Sequence, residues 1–493
     1  MNTNGCFSDL LWMPHSQHKI SKAWENPNIS LNVRCHRVGI PFDPLCSPAL
    51  ENLGFYQIAK MRKINVDKYL ISALVERWRP ETNTFHLPVG EMTITLQDIS
   101  CLWGLPIHGK PLVGIADAPW SELVERLLGI PVDEQHMKQK KRRKGDDNIV
   151  VRDSQYSLNL GKLRERFHVL PDNPMDREIN WHARALVLEI LGSIVFTDTS
   201  GDGVPAMYLQ FMQNLGQPTE YNWGAAALAL LYRQLSMCAE KERLEISGPL
   251  LLLQLWSWSR LPLGRPKVIF EKPKGEEPDE EVDEEVHLDY NPIDLIREGA
   301  VHWQPYDDLL EQMPIQVHDD SDWWFSRVPL MHFWIVEFHY PDRVMRQFGL
   351  RQCIPPFVPR GEAEVRRLRK IKHSAGKSHN WEEFHTNYVQ EYDRIQASVL
   401  PEEIPFDGLR ELKNAAWGIK CATTRGCKKI GKSVLRSCVG NLLDLNLEPR
   451  LQSMLTEARL PLKIEDIPSD DDVSYIAHPP SPPKESNSDV FNE

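Results

Sequence analysis

The order of apolar and polar residues predicts two helices that are separated by a β-hairpin in the first quarter of the chain. Over Asn65–Arg79 the apolar residues recur at helical spacing, the first residue is a suitable cap, and Pro80 stops the helix. Over Thr84–Leu96 apolar and polar residues alternate on both sides of a turn, which is typical of a short hairpin. Thr95 followed by Asp98 predicts a capping box that starts a short second helix.

Further along, five apolar segments are long enough to form buried helices. They are Arg184–Phe196, Ala225–Cys238, Ser247–Trp258, Pro329–Tyr340 and His379–Ile395. The last segment carries an aromatic stripe, which is typical of a helix core more often than of a base-stacking surface, and we expect its His385 to be a core residue. The sequence therefore predicts a mainly α fold, a large multi-helix domain over residues 51–400 with one small β-hairpin.

Composition divides the rest of the chain into appendages of this domain. Five prolines and little periodicity over residues 1–50 predict an irregular N-terminal extension. A basic insertion near 132–148 and a disordered acidic insertion near 271–289 interrupt the domain. Residues 401–462 are predicted to be a basic helical C-terminal extension, and residues 463–493, which are acidic and rich in proline and serine, a disordered tail.

The two acidic segments account for the net charge of −12. Residues 271–289 hold ten acids against two lysines and residues 463–493 hold eight against two, so the rest of the chain has a net charge of +2. Hydrophobic residues make up 41% of the chain, which excludes a wholly disordered protein. The longest apolar run is well short of the ~20 residues that span a bilayer. We see no secretory signal, and nine cysteines without a CxxC pair are typical of reduced thiols, so we expect an intracellular protein without membrane contact.

Five separated blocks resemble the plant mobile domain, a family also labelled aminotransferase-like. The first block includes LVERWRPETNTFHLPVGEMTITLQDISCLWGLPIHG, and the others include YNWGAAALALLYRQL, LLLLQLWSWSRLPLG, RVMRQFGLRQCIPP and NWEEFHTNYVQEYDRI. They occur in family order within Leu53–Gly114, Tyr221–Leu235, Gly248–Pro266, Arg343–Pro356 and Asn380–Ile395. One departure is visible, because His108 occupies the position where the family's GLPxDG loop has aspartate.

The resemblance implies a plant protein of the nucleus. Family members are linked to transposon silencing, genome integrity and meristem maintenance, and related domains are carried by transposable elements. Some members act beside a phosphatase-like partner, and others are fused to a phosphatase domain. These properties come from the resemblance alone.

The motifs of three enzyme classes are absent or lack their structural context, so the sequence predicts neither a catalytic centre nor a cofactor. Metallophosphatase motifs are absent, and the GDG at Gly201–Gly203 is predicted to be a loop between two helices. No lysine lies in a setting suited to a pyridoxal Schiff base. Gly426–Ser433 satisfies the P-loop pattern GxxxxGK[ST], but a polar, basic segment precedes it instead of a buried strand. The cysteines and histidines lack the close paired spacing of structural zinc sites.

Two kinds of basic tract remain as candidate functional residues. Lys138, Lys140, Lys141, Arg142, Arg143 and Lys144 form the densest cluster and match the pattern of a nuclear import signal, the alternative being a solvated loop. Arg366–Lys372 and Arg410–Arg436 are candidates for non-specific nucleic-acid contact, the alternative being ordinary helix surfaces. No base-reading module accompanies them.

Three functions therefore compete. The first is a non-enzymatic nuclear interaction protein that binds nuclear proteins, among them a phosphatase-like partner, in silencing, genome integrity and meristem maintenance. The alternative is a transposon-derived nucleic-acid-binding protein. The third is a P-loop nucleotide binder that uses Gly426–Ser433.

Replacement of Lys140–Lys144 by alanine in a fluorescent fusion should move the protein from the nucleus to the cytoplasm, because it removes five of the six positive charges in the densest basic cluster. Microscopy of plant cells measures the change. Unchanged nuclear accumulation would show that another signal, or a partner that carries the protein inward, is responsible.

Overall fold

Helices outnumber strands in the part of the chain that the computed structural model describes. The described residues are 17–19, 30–33, 38–61, 65–116, 118–132, 157–197, 202–240, 242–261, 265, 301–314, 317–318, 320–350, 352, 360–371 and 380–398. All of them belong to one unit, Met1–Phe406. The acidic insertion, the C-terminal extension and the tail lie outside the described residues.

Twelve α-helices are formed by the described residues. They are α1 (Ser47–Leu53), α2 (Tyr56–Ala59), α3 (Lys68–Val75), α4 (Leu96–Trp103), α5 (Trp120–Leu128), α6 (Leu160–Arg166), α7 (Asp176–Ile190), α8 (Trp223–Cys238), α9 (Leu250–Arg260), α10 (Glu362–Lys370), α11 (Trp381–Phe384) and α12 (Thr386–Ser398). One turn of π-helix, Leu191–Val195, continues α7. The mainly α prediction agrees with this architecture.

Nine short strands pair into four small sheets within the same described ranges. They are β1 (Asn32–Val33), β2 (Trp78–Arg79), β3 (Thr84–Leu87), β4 (Gly90–Met92), β5 (Ser157–Asn159), β6 (Gly203–Pro205), β7 (Glu245–Ile246), β8 (Pro329–His332) and β9 (Ile335–Phe338). The β1–β7 pair is parallel and the other pairs are antiparallel. The expectation of a single hairpin is therefore not confirmed.

Helix α8 lies at the centre of the core. Nearly all of its residues are buried, as expected for a helix that is apolar on every side. It packs against α4 and against the β8–β9 hairpin. Gly224 permits the close approach at its N-terminal end, because a Cβ there would lie 2.6 Å from Ile107 Cγ2.

The predicted first helix is shorter than expected, and the hairpin after it gains a third strand. Asp67, not Asn65, caps α3, since its Oδ1 accepts hydrogen bonds from the N–H groups of Tyr69 and Leu70. The helix ends at Val75 because the following β2 pairs with β3. The capping box of α4 is confirmed, with Thr95 as its N-cap.

The predicted helix over Pro329–Tyr340 is wrong, because this segment forms the β8–β9 hairpin. Every residue of both strands is buried, so the alternation that marks a half-exposed strand is missing. The turn also carries no glycine or asparagine. Phe333 adopts the left-handed conformation instead, at φ 49°, and its N–H donates to Leu112 O at 2.8 Å.

The other predicted helices exist with shifted bounds. Arg184–Phe196 corresponds to the second half of α7 and the π-helical turn, and Ser247–Trp258 corresponds to α9. The aromatic segment His379–Ile395 forms two helices, α11 and α12, which are separated at His385.

Parts of the predicted N-terminal extension belong to the packed fold. His18 Nε2 donates to Trp78 O at 2.8 Å, and the Lys19 N–H donates to Ala239 O at 2.7 Å. Strand β1 pairs with β7, more than 200 residues away along the chain. These contacts attach residues 18 and 19 to β2 and to the C-terminal end of α8, and they attach β1 to β7.

A buried ion pair joins α4 to α9. Arg260 Nη2 lies 2.7 Å from Asp98 Oδ1, and both side chains are fully buried. The other carboxylate oxygen of Asp98 accepts from Thr95 N at 2.7 Å, and Tyr306 OH donates to Oδ1 at 2.8 Å. Arg260 also donates to the carbonyl of Gln347. Four separate segments therefore meet at one carboxylate and one guanidinium group.

Arg260→Met and Asp98→Asn should each lower the free energy of unfolding of the full chain by about 3–5 kcal/mol, because each change leaves one buried group without its charged partner. Urea denaturation followed by tryptophan fluorescence measures the loss.

Arg366→Met is the matched control, because Arg366 pairs with Glu362 at the surface of α10, where both side chains are about half exposed. Its loss should stay below about 1 kcal/mol. Equal losses in the buried and surface variants would contradict the assigned role of the Asp98–Arg260 pair.

Candidate functional site

The loop that follows α4 is held in a fixed shape by side chains that are distant in sequence. It contains the GLPIHG motif, and Gly104 and Gly109 both have positive φ. A Cβ on Gly109 would lie 2.4 Å from Glu220 O, so only glycine fits there. Tyr392 OH donates to Gly109 O at 2.7 Å and accepts from Asn222 Nδ2 at 2.8 Å. Asn222 is also the N-cap of α8, so one residue links the loop, the central helix and α12.

His108, the residue at the atypical position of this loop, is in hydrogen-bond contact with Asp320. Its Nδ1 contacts Asp320 Oδ1, while Asp320 Oδ2 accepts from the Ile107 N–H at 3.1 Å. The carboxylate is 2% exposed and the imidazole 48% exposed. The aspartate expected in the family would bring a second carboxylate to a buried carboxylate, whereas a histidine can donate to it.

A second buried cluster joins α8, β9 and α10. Arg233 Nε donates to Glu337 Oε1 at 2.6 Å, and Arg369 Nη2 donates to Glu337 Oε2 at 3.1 Å. Burial alone would raise the pKa of Glu337, but the charges of Arg369 and Arg233 outweigh burial and lower it. Arg369 comes from the basic tract proposed for nucleic-acid contact, and here it also donates to Pro80 O.

Between α10 and the α11–α12 pair lies a groove of about 470 Å³. Arg360 crosses it, pairing with Glu391 on one side and with Glu364 at 3.4 Å on the other. Its guanidinium carbon lies 5.6 Å from the centre of the Tyr388 ring. Tyr388 OH donates to Glu364 Oε1 at 2.7 Å, and burial followed by this contact raises the pKa of Tyr388 to about 12.

His385 and Phe384 form the aromatic part of the groove. The His385 ring is 2% exposed and stacks on Trp381 at a centroid distance of 5.9 Å. Burial lowers the pKa of His385 to about 4, so the imidazole is neutral at physiological pH. Phe384 is 50% exposed and meets the His385 ring edge to face at 5.0 Å. As expected, His385 is a buried residue, but it also lines the groove.

Most residues singled out by the sequence lie outside the described part of the chain. This holds for the proposed import signal (Lys138, Lys140, Lys141, Arg142, Arg143 and Lys144), for Gly426–Ser433 and for Arg410–Arg436. The GDG segment Gly201–Gly203, predicted to be a loop, ends in a strand, because Gly203 is the first residue of β6. Among the described residues, no group of three or more His, Cys, Asp or Glu side chains is arranged to hold a metal ion. No helix in those same ranges is long and apolar enough to span a bilayer.

Comparison with known proteins places these features in a family. The family model described as "Plant mobile domain" matches residues 54–404. The chain belongs to the plant mobile domain family. The match includes both buried ion-pair clusters, the GLPIHG loop and the groove.

Relatives from Arabidopsis thaliana share the same region. The chain is 34% identical to a "Serine/threonine-protein phosphatase 7 long form homolog" over 81% of its own length and 30% of the relative's. It is 32% identical to "Protein MAIN-LIKE 2" over 84% of its length and 60% of the relative's. It is 36% identical to "Protein MAINTENANCE OF MERISTEMS" over 63% of each protein. The chain thus spans less than two thirds of these relatives. No solved structure matches it.

The plant mobile domain contains site residues that the sequence did not indicate. Asp320 lies 212 residues from His108, and Arg360 lies 31 residues from Glu391, with α10 and α11 between them. Neither pair has a motif or a fixed spacing, because tertiary packing alone brings the partners together. Only the departure at His108 pointed to the loop.

His108→Asp should lower the free energy of unfolding by about 1–3 kcal/mol, since a second carboxylate would replace the group that pairs with buried Asp320. Urea denaturation of the two proteins at pH 8 measures this.

His108→Asn is the control, because its amide can still donate to the carboxylate. It should lose less stability than His108→Asp. A His108→Asp protein as stable as the parent at pH 8 would show that the Asp320 pair does not hold the loop.

Proposed function

We propose that this chain is a non-enzymatic nuclear interaction protein of the plant mobile domain type. It acts in transposon and gene silencing, genome integrity and meristem maintenance by binding protein partners. Membership of the family and the relative named "Protein MAINTENANCE OF MERISTEMS" support the proposal.

One observation supports this proposal most strongly: at two places in the described part of the domain, buried charges form structural pairs between elements. Asp98 is paired with Arg260, and Glu337 is paired with Arg233 and Arg369. Catalysis generally needs titratable groups that converge on a pocket and remain available to substrate. In these pairs the charged groups instead stabilise contacts between helices, strands and loops. A rigid body of this kind is suited to presenting a surface.

A phosphatase-like protein is proposed among the partners. The relative named as a phosphatase 7 long form homolog is matched over 30% of its length, so most of that protein has no counterpart in the aligned residues. If one family member joins a plant mobile domain to a phosphatase-like domain, a separate phosphatase-like protein can take the place of that second domain in another member. This chain would then contribute the binding surface.

When the full tagged chain is purified from plant nuclei, a set of proteins should remain bound to it. This set should be the same before and after nuclease treatment, and before and after a wash at raised salt. Apolar and hydrogen-bonded protein interfaces resist salt, whereas phosphate contacts do not. Mass spectrometry of the retained proteins, with a phosphatase-like protein among them, is the measurement.

Two results would contradict the proposal and support the other functions. Retention of nucleic acid alone, lost as salt rises, would favour the transposon-derived nucleic-acid binder. Mg²⁺-dependent ATP binding in calorimetry that disappears in Lys432→Ala would favour the P-loop nucleotide binder.

A further inference from the structure

Arg184 on α7 is a buried cation that forms no ion pair with any of the described residues. It is 7% exposed. It donates four hydrogen bonds, all to backbone carbonyls: Nε to Met212 O at 2.8 Å, Nη2 to Gln213 O at 3.0 Å, and Nη1 to Leu127 O at 3.4 Å and to Asn180 O at 3.5 Å. A guanidinium group has five N–H donors, so one donor of Nη2 is left over.

The charged group that acts on Arg184 is a second arginine. Arg126 Nη2 donates to the side-chain oxygen of Gln213 at 3.0 Å, while Arg184 Nη2 donates to the main-chain oxygen of the same residue. Burial, followed by the charge of Arg126, lowers the pKa of Arg184 to about 10, so the group remains charged at neutral pH. Glu122 lies one turn before Arg126 on α5, but it forms no ion pair with either arginine. Two positive charges therefore meet at Gln213 without an acid in contact.

The C-terminal end of α5 offsets only part of this charge. Arg184 Nη1 bonds to Leu127 O in its last turn, and Arg166 Nη2 donates to Gly129 O, just beyond the helix, at 2.9 Å. A helix C-terminus carries roughly half a negative charge, which is less than the two charges of Arg126 and Arg184. A buried charge is costly unless an opposite charge lies beside it. The place therefore favours a bound anion.

The Nη2 end of Arg184 is the end that lies nearer to the surface. The hydrogen bond from Nη2 to Gln213 O is only partly buried, whereas the bond from Nε to Met212 O is buried. Both Arg126 and Gln213 are exposed. An oxyanion that binds beside Arg126 can thus accept hydrogen bonds from both guanidinium groups.

The amount of positive charge selects the class of anion. Guanidinium groups bind carboxylate and phosphate oxygens through paired N–H donors. A carboxylate has one negative charge, and a phosphodiester has one for each phosphate. A phosphate monoester carries about −1.5 to −2 charges near pH 7 and presents three acceptor oxygens. Among these groups, the monoester matches the two arginines best.

We propose that Arg126 and Arg184 bind a phosphate monoester group at Gln213, beside the C-terminal end of α5. The group is carried by a phosphorylated side chain of a partner protein or by a small phosphorylated molecule, and the chemistry that recognises it is the same for both. The inference goes beyond the proposed function, because it assigns a class of ligand to the plant mobile domain.

A labelled pool of peptides with one phosphoserine among random neighbours provides the probe, and the same pool with serine or glutamate at that position provides its reference. In fluorescence polarisation with the full chain, the phosphorylated pool should bind at least tenfold more tightly than either reference. Arg126→Gln should weaken this binding at least tenfold. The affinity should rise from pH 5 to pH 7.5, because the second ionisation of a phosphate monoester has a pKa of about 6.

Competition by free O-phosphoserine distinguishes the two sources of the group. If displacement of the peptides needs at least tenfold more O-phosphoserine than unlabelled phosphorylated pool, the neighbouring peptide residues contribute to binding, and the site recognises a protein segment. Displacement at equal concentrations indicates a small phosphorylated molecule. Both results support the site.

Arg394→Gln is the matched control, because Arg394 is an exposed arginine on α12 that also donates to a carbonyl, that of Gln390. It should change the affinity less than twofold. Arg184→Lys keeps the buried charge but removes the planar set of donors, so it should also weaken binding. If near-ultraviolet circular dichroism shows that this variant is misfolded, the exposed Arg126→Gln still tests the site.

Three results would overturn the inference: no binding of either the phosphorylated pool or O-phosphoserine, equal binding of the glutamate pool, or binding that Arg126→Gln leaves unchanged. It would also fail if a DNA oligonucleotide bound as tightly as the phosphorylated pool and both lost affinity only when Lys140–Lys144 are replaced by alanine. The proposed function stands or falls separately, since a chain that retains nuclear partners without phosphate-dependent binding contradicts this inference alone.

Discussion

The fold depends on the pairing of one buried carboxylate with one buried guanidinium group. Asp98 caps α4 through Thr95 and at the same time binds Arg260 from α9 and Tyr306 from a later segment. Transfer of either charge from water into this site is costly, and the cost is offset only when both partners and their hydrogen bonds are in place. The pair therefore specifies one arrangement of four segments and penalises others. Hydrophobic packing supplies the driving force for folding, but it does not by itself fix such an arrangement.

The same constraint recurs where α8 meets the β8–β9 hairpin. Glu337 is a buried acid on a strand whose neighbours are all apolar, and it is satisfied only when Arg233 and Arg369 both reach it. Arg369 brings α10 to this point, and α10 forms one wall of the groove. The pairing of the buried Glu337 carboxylate with Arg369 therefore fixes the position of α10 and, with it, one wall of the groove. The groove wall and the core are parts of one packing solution.

Local signals predicted much of the fold, and non-local contacts account for the errors. The α4 capping box and the burial of α8 follow from neighbouring residues, so the sequence predicted them correctly. Pro329–Tyr340 was predicted as a helix because a strand buried on both faces has no alternation, and because its turn uses Phe333, which no turn rule anticipates. The candidate site was mostly missed for a related reason. Its groups come from segments that packing alone brings together.

Two buried histidines, His332 and His385, have the same protonation state in different surroundings. Burial keeps His332 and His385 neutral, and a neutral imidazole must place one donor and one acceptor. His332 lies in the aromatic core, where its Nε2 lies 3.0 Å from Tyr208 OH and its ring stacks on Phe196. His385 is neutral as well, but it lines the groove together with Phe384 and Arg360. Among the described residues each ring leaves one nitrogen without a hydrogen-bond partner, Nδ1 in His332 and Nε2 in His385, and both residues are 2% exposed. Burial lowers the pKa at both positions for the same reason, because a charged imidazole would lose its hydration there, and the neutral ring is the form that each site accepts at the lower cost.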